Sequence, residues 1–538
     1  MALHAYPSLS PELQPPRAAS PTLAYRLRAK LVSRGRALGL FERASHRVID
    51  VAGCRVLSPA LTAASDALRE LLPLPIHGAD LRETSEGVLL TLLTEHASAR
   101  AALKETGRLL VERGVVLSVA VALRRDGDVR LLSGEPEVVV GASTARHALS
   151  AAAPYAYAAH GGFVQAHAAQ ASYVYAEIAG GLRQRLGDRA EPAVLELFAG
   201  NGSLALGLAK SGARVTAVEA YAPAILLAER AAREQGLRLT AVANDATRFM
   251  LSHAGQRFDA IVVNPPRRGL DAELRAAIGR ARPQVVAYVS CNPHTMARDA
   301  AHLTLLGLRL AHAEPLDMIP WSDAIEVLAW FEPATPPAPR VLFEDEQVLA
   351  VEKAAHEPVV AADASRPSLL DRVRGLPGCG AAVVLEAPGA TVSGVCWFAK
   401  SAAGAASTVD ERTLLVLARG NLRKQGTVTR REAGGAAPGV RYHKQADVGR
   451  HSLVRALTND GDELGTLRDF ASIRHPVLGD VSHGDAASND FLDHRHGLDR
   501  AFVHCTASRL RVDATTTREA TSELAPELSR VLASLASD

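Results

Sequence analysis

From Glu191 onward, short apolar segments alternate with amphipathic ones, and this alternation constrains the fold more than any other feature of the chain. The apolar segments are AVLELFAG, RVTAVEA, LTAVAND, FDAIVVNPP and QVVAYVSCNP, and segments with helical spacing such as LALGLAKSG and AILLAERAAREQG separate them. Short apolar strands joined by helices bury both faces of a mostly parallel sheet. The pattern therefore predicts a doubly wound, Rossmann-like α/β domain.

A glycine-containing turn follows the first of these strands. Gly200 and Gly202 let the backbone approach a ligand closely, at the sheet edge where doubly wound folds bind their ligands. Glu219 ends the next strand about twenty residues later, where a carboxylate can accept hydrogen bonds from ribose hydroxyls. Asp245 ends the third strand and could meet an adenine amine. The glycine spacing is looser than a dinucleotide fingerprint, which favours S-adenosylmethionine over NAD as the ligand.

Closely spaced prolines in EPATPPAPR mark a domain boundary. Proline continues neither a helix nor a central strand, so a semi-rigid linker is predicted there. At 538 residues the chain is also longer than one hydrophobic core usually supports. The predicted divisions are a flexible N-terminal tail (1–24), a small α/β domain (25–150), the doubly wound domain (151–333), the linker (334–340) and a C-terminal domain (341–538).

In the small α/β domain, polar and apolar side chains alternate between Tyr25 and Arg36. Arg26, Arg28 and Lys30 share one face, and this period of two predicts a strand. The cationic face is either an ordinary solvated surface or a strip that contacts phosphates. Further predicted strands are GVLLTLLTE, VVLSVAVALRR and VRLLSG, and the predicted helices are DALRELL and ASARAALKETGRLLVERG.

Net charge and cysteine usage exclude several classes of protein. The formal net charge is only +2, so nucleic-acid binding would need a local basic patch. No apolar run approaches the ~20 residues of a membrane helix, and the N-terminus lacks the regions of a secretory signal. The five cysteines form no CxxC pair. This argues against a disulfide framework or a metal site and predicts a cytoplasmic protein.

Three further segments carry the most specific pattern: NPPRRGL, YVSCNPHTMARD and PLDMIPWSDAIEVL. Together they resemble the RNA uracil-C5 methyltransferase family, which acts on tRNA and 23S rRNA. The resemblance covers residues 25–333, and the NPPRRG form is most similar to the rRNA branch. It implies that residues 25–150 contact RNA and that residues 151–333 bind S-adenosylmethionine.

The chemistry of this family explains the residue types. Uracil C5 is a poor nucleophile until a thiolate adds at C6 and forms an enolate, and a base must then remove the C5 proton. By resemblance, Cys291 is the nucleophile and Glu326 is the base. Arg298 and Arg267 are expected to favour the thiolate form of Cys291. The target base would have to leave its stack to reach the thiol.

The residue pattern and the resemblance together assign residues to the donor and to RNA. The expected donor-binding residues are Gln165, Glu196, Gly200, Gly202, Glu219, Asp245 and Asn264. The expected RNA-binding residues are Arg26, Arg28, Lys30, Arg267 and Arg298. The chain departs from the family pattern at four positions. His167 replaces the usual asparagine and Ala324 the usual histidine, and Trp321 and Ser322 replace a different aromatic and a different hydroxyl residue.

Some members of the family add an N-terminal β-barrel and a four-cysteine iron–sulfur site. The segment before residue 25 is too short for the barrel, and Cys54 is the only cysteine before Cys291. We therefore expect neither the barrel nor an iron–sulfur cluster. Nothing in the sequence points to an obligate protein partner.

The C-terminal part resembles RluA-type pseudouridine synthases over residues 341–530. The matching segments are RVLFEDEQVLAVEKAAHEPVV, which contains Lys353, then VSGVCWFAKS, RHPVLGDVSHGD and HGLDRAFVHCTASRL. Gly389 stands where that family has its essential aspartate, and Asp499 lies at the wrong place along the fold to replace it. The resemblance therefore implies an inactive domain, which either holds RNA or is purely structural.

The sequence thus predicts a methyltransferase that modifies uracil C5 in RNA, most closely 23S rRNA. Two alternatives stay open. One is a bifunctional enzyme that also makes pseudouridine, and the other is a non-catalytic RNA-binding protein in which both halves have lost activity. Retention of Cys291, Arg298 and Glu326 argues against the second.

Overall fold

The computed structural model describes residues 2–42, 45–124, 134–187, 189–361, 367–432, 435–458 and 463–537. These residues build three large sheets of seven, eight and ten strands. A Rossmann-like α/β domain follows a smaller α/β domain and precedes an α+β domain, which confirms the predicted fold class.

The N-terminal segment is ordered, so the prediction of a flexible tail over 1–24 is wrong. It contains a 3-10 helix (Leu3–Ala5) and β1 (Glu12–Leu13), and β1 pairs in parallel with the edge of the eight-stranded sheet. Leu9 is buried in the core of the central domain, and the Arg17 guanidinium lies 3.4 Å from the centroid of the Tyr173 ring. Burial of one such leucine contributes about 2 kcal/mol, enough to hold a segment that its proline and serine content suggests is loose.

The first domain is a seven-stranded sheet with two helices. Its elements are β2 (Arg28–Arg34), β3 (Ala37–Phe41), β4 (Val48–Asp50), α1 (Pro59–Glu70), β5 (Gly78–Thr84), β6 (Gly87–Thr94), α2 (Arg100–Glu112), β7 (Ser118–Leu123) and β8 (Glu137–Val140), in the sheet order β4-β3-β2-β5-β6-β7-β8. Helix α1 begins at Pro59, where the Ser58 hydroxyl accepts the Leu61 N–H at 3.2 Å. The predicted strands at β2, β6 and β7 and both predicted helices are confirmed. VRLLSG lies, apart from Gly134, outside the described residues.

The central domain opens with a hairpin and a long helix, and then alternates strands and helices. Its elements are β9 (Thr144–His147), β10 (Ala156–Ala159), α3 (Ala168–Leu186), β11 (Ala193–Leu197), α4 (Ser203–Lys210), β12 (Arg214–Glu219), α5 (Ala222–Glu234), β13 (Leu239–Ala243), α6 (Ala246–Ser252), β14 (Ala260–Val263), α7 (Ala272–Ala281), β15 (Val285–Ser290), α8 (Pro293–Leu305), β16 (Leu308–Leu316) and β17 (Glu326–Pro333).

The central sheet has the order β1-β16-β17-β15-β14-β11-β12-β13. Strands β11 to β15 are parallel, whereas β17 runs antiparallel to both of its neighbours. Buried strand residues pack on both faces, against α6, α7 and α8 on one side and against α3, α4 and α5 on the other. This burial explains the apolar runs in the sequence and leaves the carboxyl ends of the parallel strands as the edge where a ligand can bind.

Residues 334–340 form no helix or strand and lead into the C-terminal domain. The elements of that domain are β18 (Val341–Glu344), β19 (Val348–Lys353), α9 (Leu369–Arg374), β20 (Val383–Glu386), β21 (Ser393–Ala399), β22 (Thr408–Arg419), β23 (Gln425–Glu432), β24 (Gly435–Val448), β25 (His451–Thr458), α10 (Glu463–Ser472), α11 (Ala486–His496), β26 (Val503–Arg511), β27 (Thr517–Thr521) and α12 (Pro526–Ala536). Its core is centred on β21, β22 and β26.

Candidate active site

A small cavity opens at the carboxyl ends of the parallel strands of the central sheet. Four of the residues predicted to bind the donor line it: Gln165, Glu196, Gly200 and Asn264. Glu326, the predicted base, lines the same cavity. The same cavity is therefore lined by the glycine turn predicted to bind the donor and by the predicted base.

The glycine turn after β11 needs backbone conformations that other residues rarely adopt. Gly200 and Gly202 have φ angles of 57° and 73°, in the left-handed region. A Cβ on Gly202 would also lie 2.5 Å from the Cβ of Ala228, so glycine is required there by contact as well as by backbone angle. Helix α4 begins directly after this turn, and its N-terminus points to the cavity edge.

Glu196, near the end of β11, is the most unusual acid of the cavity. Its side chain is buried, and burial, assisted by the charge of Glu219, raises its pKa to about 8 despite a backbone hydrogen bond from Ala205. Its Oε2 has no hydrogen-bond partner among the described residues. At neutral pH Glu196 is therefore mostly a neutral acid with a free polar atom, able to bind a ligand by hydrogen bonding.

Glu219 and Asp245 lie where the sequence predicted, at the ends of β12 and β13. The Glu219 carboxylate accepts the N–H of Gly200 at 3.0 Å and of Tyr221 at 2.9 Å, and it thereby holds the glycine turn. Asp245 is exposed and caps α6 by accepting the Arg248 N–H at 3.0 Å. Each carboxylate oxygen can accept a second hydrogen bond, so both remain able to contact a bound nucleoside.

Cys291 directly follows β15 and is half-buried, with a free thiol. Burial raises the pKa of this thiol, and so does the negative charge of Glu326. Arg267 lowers it, both by its charge and through a hydrogen bond from its side chain. Arg267 itself belongs to a fixed loop, because its carbonyl accepts hydrogen bonds from Asn292 Nδ2 and Thr295 Oγ1, each at 3.0 Å.

Glu326 begins β17, and strand register places it beside the thiol. Ser290 is opposite Val327 in the antiparallel pair β15–β17, so the residue after Ser290 and the residue before Val327 are neighbours. Burial raises the pKa of Glu326 to about 7. A carboxyl group with that pKa can accept and release a proton near neutrality, as a general base must.

Arg298 is not beside Cys291, contrary to the prediction. It is buried on α8, donates to the Asp299 carboxylate at 2.9 Å and to the Arg268 carbonyl at 2.8 Å, and forms an ion pair with Asp499 at 3.2 Å. The sequence places Arg298 seven residues after Cys291, but the helical turn points it away from the thiol and into the interface with the C-terminal domain.

The predicted cationic strip on β2 is interrupted. Arg28 donates to both carboxylate oxygens of Asp80, at 3.0 and 2.7 Å, and both side chains are largely buried. The Arg26 Nε donates to the Arg28 carbonyl, whereas Lys30 is exposed. The prediction that Arg28 faces solvent is wrong, because β5 brings a carboxylate to its side, which the sequence of β2 cannot reveal.

The cavity also contains residues that sequence reasoning missed. They are Phe163, Ala171, Val174, Tyr175, Phe198, Ala199, Asn201, Leu204, Val289 and Met318. Phe163 lies within GGFVQAHAAQ, next to Gln165, and could have been found from that segment; it is 64% exposed, unusual for an aromatic residue. Tyr175 lies on α3 at ordinary helical spacing, so nothing in the sequence separates it from core residues.

Two features are absent from the described part of the chain. No group of three or more histidine, cysteine and carboxylate side chains there is arranged to hold a metal ion. No helix in the same part of the chain has the length and apolar character needed to cross a membrane.

Comparisons with known proteins agree with this architecture. A family described as "Methyltransferase domain" matches residues 194–282. The 23S rRNA (uracil(747)-C(5))-methyltransferase RlmC of Shewanella amazonensis is 33% identical over 228 residues, which cover 42% of this chain and 57% of the relative. The 23S rRNA (uracil(1939)-C(5))-methyltransferase RlmD of Edwardsiella ictaluri is 32% identical, covering 55% of this chain and 65% of the relative.

Among solved structures, the Pyrococcus abyssi tRNA (uracil-54, C5)-methyltransferase in complex with S-adenosyl-L-homocysteine is similar, with a TM-score of 0.50 and 22% identity. The match covers 60% of this chain and 79% of that one. The central domain therefore has a Rossmann-like fold, and its residues 194–282 match a methyltransferase family. The chain spans less than two thirds of the length of the two sequence relatives named above.

Proposed function

We propose that this protein transfers a methyl group from S-adenosylmethionine to carbon 5 of a uracil in RNA, through a covalent bond between Cys291 and C6. One observation carries the proposal: Glu326, which strand register sets beside Cys291, lines the same cavity as the glycine turn. The relatives are named for uracil-C5 methylation of 23S rRNA, so 23S rRNA is the substrate class we infer.

The residues of the cavity fit S-adenosylmethionine. Gln165, Gly200 and Asn264 line the space, and the free Oε2 of Glu196 offers a buried polar contact. Glu219 and Asp245, at the ends of the next two strands, would face the ribose and the adenine. When bound, the donor supplies an electrophilic methyl group on a sulfonium.

The Cys291 thiolate starts the reaction by forming a bond to uracil C6. The electron pair of the C5–C6 double bond moves into an enolate, and C5 then forms a bond to the methyl carbon as the carbon–sulfur bond of the donor breaks. Arg267 supports the first step, because its charge counteracts the burial that raises the pKa of the thiol. Glu326 supports the last step: its carboxylate takes the C5 proton, the double bond re-forms, and Cys291 leaves as a thiolate.

We propose that RNA contacts the side chains of Arg267 and Lys30. Both side chains are exposed, whereas those of Arg28 and Arg298 are largely buried beside Asp80 and Asp299. We propose phosphate contacts for Arg267, Lys30 and the half-buried Arg26. A free thiol at Cys291 also suits the reducing cytoplasm in which we expect the protein to act.

The proposal is tested with RNA that contains 5-fluorouridine and a donor labelled in its methyl group. Fluorine at C5 cannot be removed as a proton, so the adduct with Cys291 should persist on a denaturing gel with one methyl group attached. Cys54→Ala is the matched control, because Cys54 is also a half-buried free cysteine. We expect the complex in the wild type and in Cys54→Ala and no complex in Cys291→Ala; a complex that persists in Cys291→Ala contradicts the proposal.

For the C-terminal domain we propose no isomerase chemistry of its own. Gly389 has no carboxylate, and its carbonyl accepts a hydrogen bond from the buried Lys353 Nζ at 3.3 Å. The Ala390 and Val392 carbonyls accept from the same ammonium, at 3.2 and 2.7 Å. The segment that carries the nucleophile in RluA-type synthases is thus engaged through its backbone with a lysine.

A further inference from the structure

A buried cluster of charges joins the methyltransferase domain to the C-terminal domain. Arg275 on α7 and Arg298 and Asp299 on α8 form its central-domain part. The C-terminal domain contributes Asp499, from the loop between α11 and β26. The Asp499 carboxylate accepts a hydrogen bond from Arg275 Nη2 at 3.2 Å and lies 3.2 Å from Arg298 Nη1.

Asp499 balances the charge of this cluster. Within the methyltransferase domain, two arginines share the single carboxylate of Asp299, which leaves an excess of one buried positive charge. Arg275 and Asp299 are almost completely shielded from solvent, and Arg298 nearly so. An unbalanced buried charge is strongly unfavourable, so the two arginines can stay together inside the protein only with a second anion.

The same arginines hold the loop beside the nucleophile. Arg298 Nη2 donates to the carbonyls of Arg268 at 2.8 Å and Leu270 at 3.2 Å, and Asp299 accepts the Leu270 N–H at 2.7 Å. These are residues of the loop between β14 and α7 that also carries Arg267. Arg267 is the cation that favours the thiolate form of Cys291.

The loop of Asp499 is in turn fixed on both sides. Next to Asp499, Arg500 donates to the Thr391 carbonyl at 2.9 Å and to Ser393 Oγ at 2.8 Å, in the segment that matches the synthase motif. At Gly497, a Cβ would lie 3.6 Å from Thr295 Cγ2. Thr295 is the residue whose hydroxyl donates to the Arg267 carbonyl. The C-terminal domain therefore contacts Arg298 and lies beside Thr295, two residues that hold the loop between β14 and α7 by hydrogen bonds.

We propose that Asp499 is a positioning residue for the methyl-transfer site: it holds Arg298, and through Arg298 the loop that keeps Arg267 beside Cys291. The identity of that site rests on the proposed function, but the positioning claim concerns the reactivity of the Cys291 thiol and needs no RNA. The C-terminal domain thereby acts in methylation as the anchor of an active-site loop.

The experiment measures alkylation of Cys291 by iodoacetamide against pH in the full chain, with the Cys291 peptide quantified by mass spectrometry. In Asp499→Asn we expect the midpoint of alkylation to move up by about one pH unit, a tenfold loss of thiolate at a given pH below the midpoint. The direction is diagnostic. Removal of an anion alone favours a thiolate and lowers the midpoint, whereas loss of Arg267 raises it. A midpoint that is unchanged or lower overturns the proposal.

Asp493→Asn is the matched control, because Asp493 belongs to the same domain and lies 3.9 Å from Arg268 at the rim of the interface. It should leave the midpoint within about 0.3 units, a twofold change. If Asp499→Asn does not fold, the double variant Arg275→Gln/Asp499→Asn is measured instead. It removes one positive and one negative charge, so the buried cluster keeps its charge balance. A folded double variant with a raised midpoint supports the proposal, because Asp499 no longer holds Arg298; a wild-type midpoint, or a double variant as unfolded as the single one, overturns it. Failure of the wild type to methylate RNA would refute the proposed function without changing this alkylation readout.

Discussion

At the scale of single residues, the candidate site consists of two acids weakened by burial and one cation. Cys291 and Glu326 both have raised pKa values, mainly because burial disfavours their charged forms, and the charge of Glu326 raises the pKa of Cys291 further. The exposed Arg267 counteracts this for the thiol. The reaction needs a thiolate at Cys291 and a carboxylate at Glu326. Burial opposes both charged forms, and Arg267 favours the thiolate.

Substitution of Glu326 should separate the steps of the reaction. In Glu326→Gln the thiol can still add to uracil C6, but no carboxylate is present to take the C5 proton, so elimination of Cys291 should fail. We expect turnover to fall by about 10²-fold or more, while a covalent complex with unmodified RNA accumulates on a denaturing gel. Glu332→Gln, on the same strand but paired with Arg309 at the surface, should behave as the wild type. Normal turnover in Glu326→Gln would rule out its role as base.

The pH dependence of methylation follows from the same pKa values. As pH rises through about 7, the Glu326 carboxyl loses its proton and becomes the base; at higher pH, the Cys291 thiol also ionises. The value of kcat/KM measured at fixed donor concentration should therefore rise with pH through both transitions and fall steadily below pH 7.

Arg267→Gln should move the alkaline transition to higher pH, by about one unit or a tenfold loss of activity at neutral pH. Arg268→Gln is its control, because the Arg268 side chain points to Asp493 instead. A pH profile of Arg267→Gln that coincides with that of Arg268→Gln would contradict the role given to Arg267.

At the scale of elements, the N-terminal segment shows what the sequence could not predict. Period-two and helical patterns correctly located the strands and helices of the central domain, because those elements bury continuous apolar faces. In contrast, β1 contains two residues, both exposed, and it is held by backbone pairing to the sheet edge and by Leu9 before it. A single buried leucine has no period, so such an element leaves no pattern in the sequence.

The docking of this segment can be tested by limited proteolysis at Arg17. Leu9→Ser removes the buried anchor at a cost of about 2 kcal/mol, so local opening and tryptic cleavage at Arg17 should increase by about 30-fold. Leu13→Ser is the matched control, since Leu13 lies on β1 but is 55% exposed. Equal cleavage rates in the two variants would show that Leu9 does not hold the segment.

At the candidate site, the sequence could not predict which charged side chains pair with residues from distant elements. The nucleophile, the base and the glycine turn were predicted from short motifs, and the structure places them at the same sheet edge. The partners of Arg28 and Arg298 come from β5 and from the C-terminal domain, which are distant in sequence. The pattern of one strand or helix therefore predicts that such a cation is available for RNA, although a carboxylate from another element neutralises it.

At the scale of the whole molecule, the C-terminal domain is joined to the methyltransferase domain by more than the linker. Asp499 lies between two arginines of α7 and α8, and the rings of His302 and His356 lie 6.2 Å apart across the same interface. If Asp499 positions the methyl-transfer site as we propose, this contact gives the C-terminal domain a place in the methylation reaction.

The proposed lack of isomerase chemistry is testable in the full chain. RNA incubated with the wild type should gain 5-methyluridine but no pseudouridine, because the loop at Gly389 offers no carboxylate. Quantitative nucleoside mass spectrometry of rRNA and tRNA substrates, with Cys291→Ala to remove methylation, gives the comparison. Pseudouridine formed by either protein would favour the bifunctional enzyme instead.

The central claim is a covalent bond from Cys291 to uracil C6 during methyl transfer. Its most direct measurement is to trap the adduct with 5-fluorouridine RNA and donor, digest the protein and the RNA, and identify the modified peptide by tandem mass spectrometry. The account predicts one adduct, on the peptide that contains Cys291, with a mass that includes the fluorinated nucleotide and one methyl group. An adduct on any other residue, or methylated RNA formed without an adduct, would contradict it.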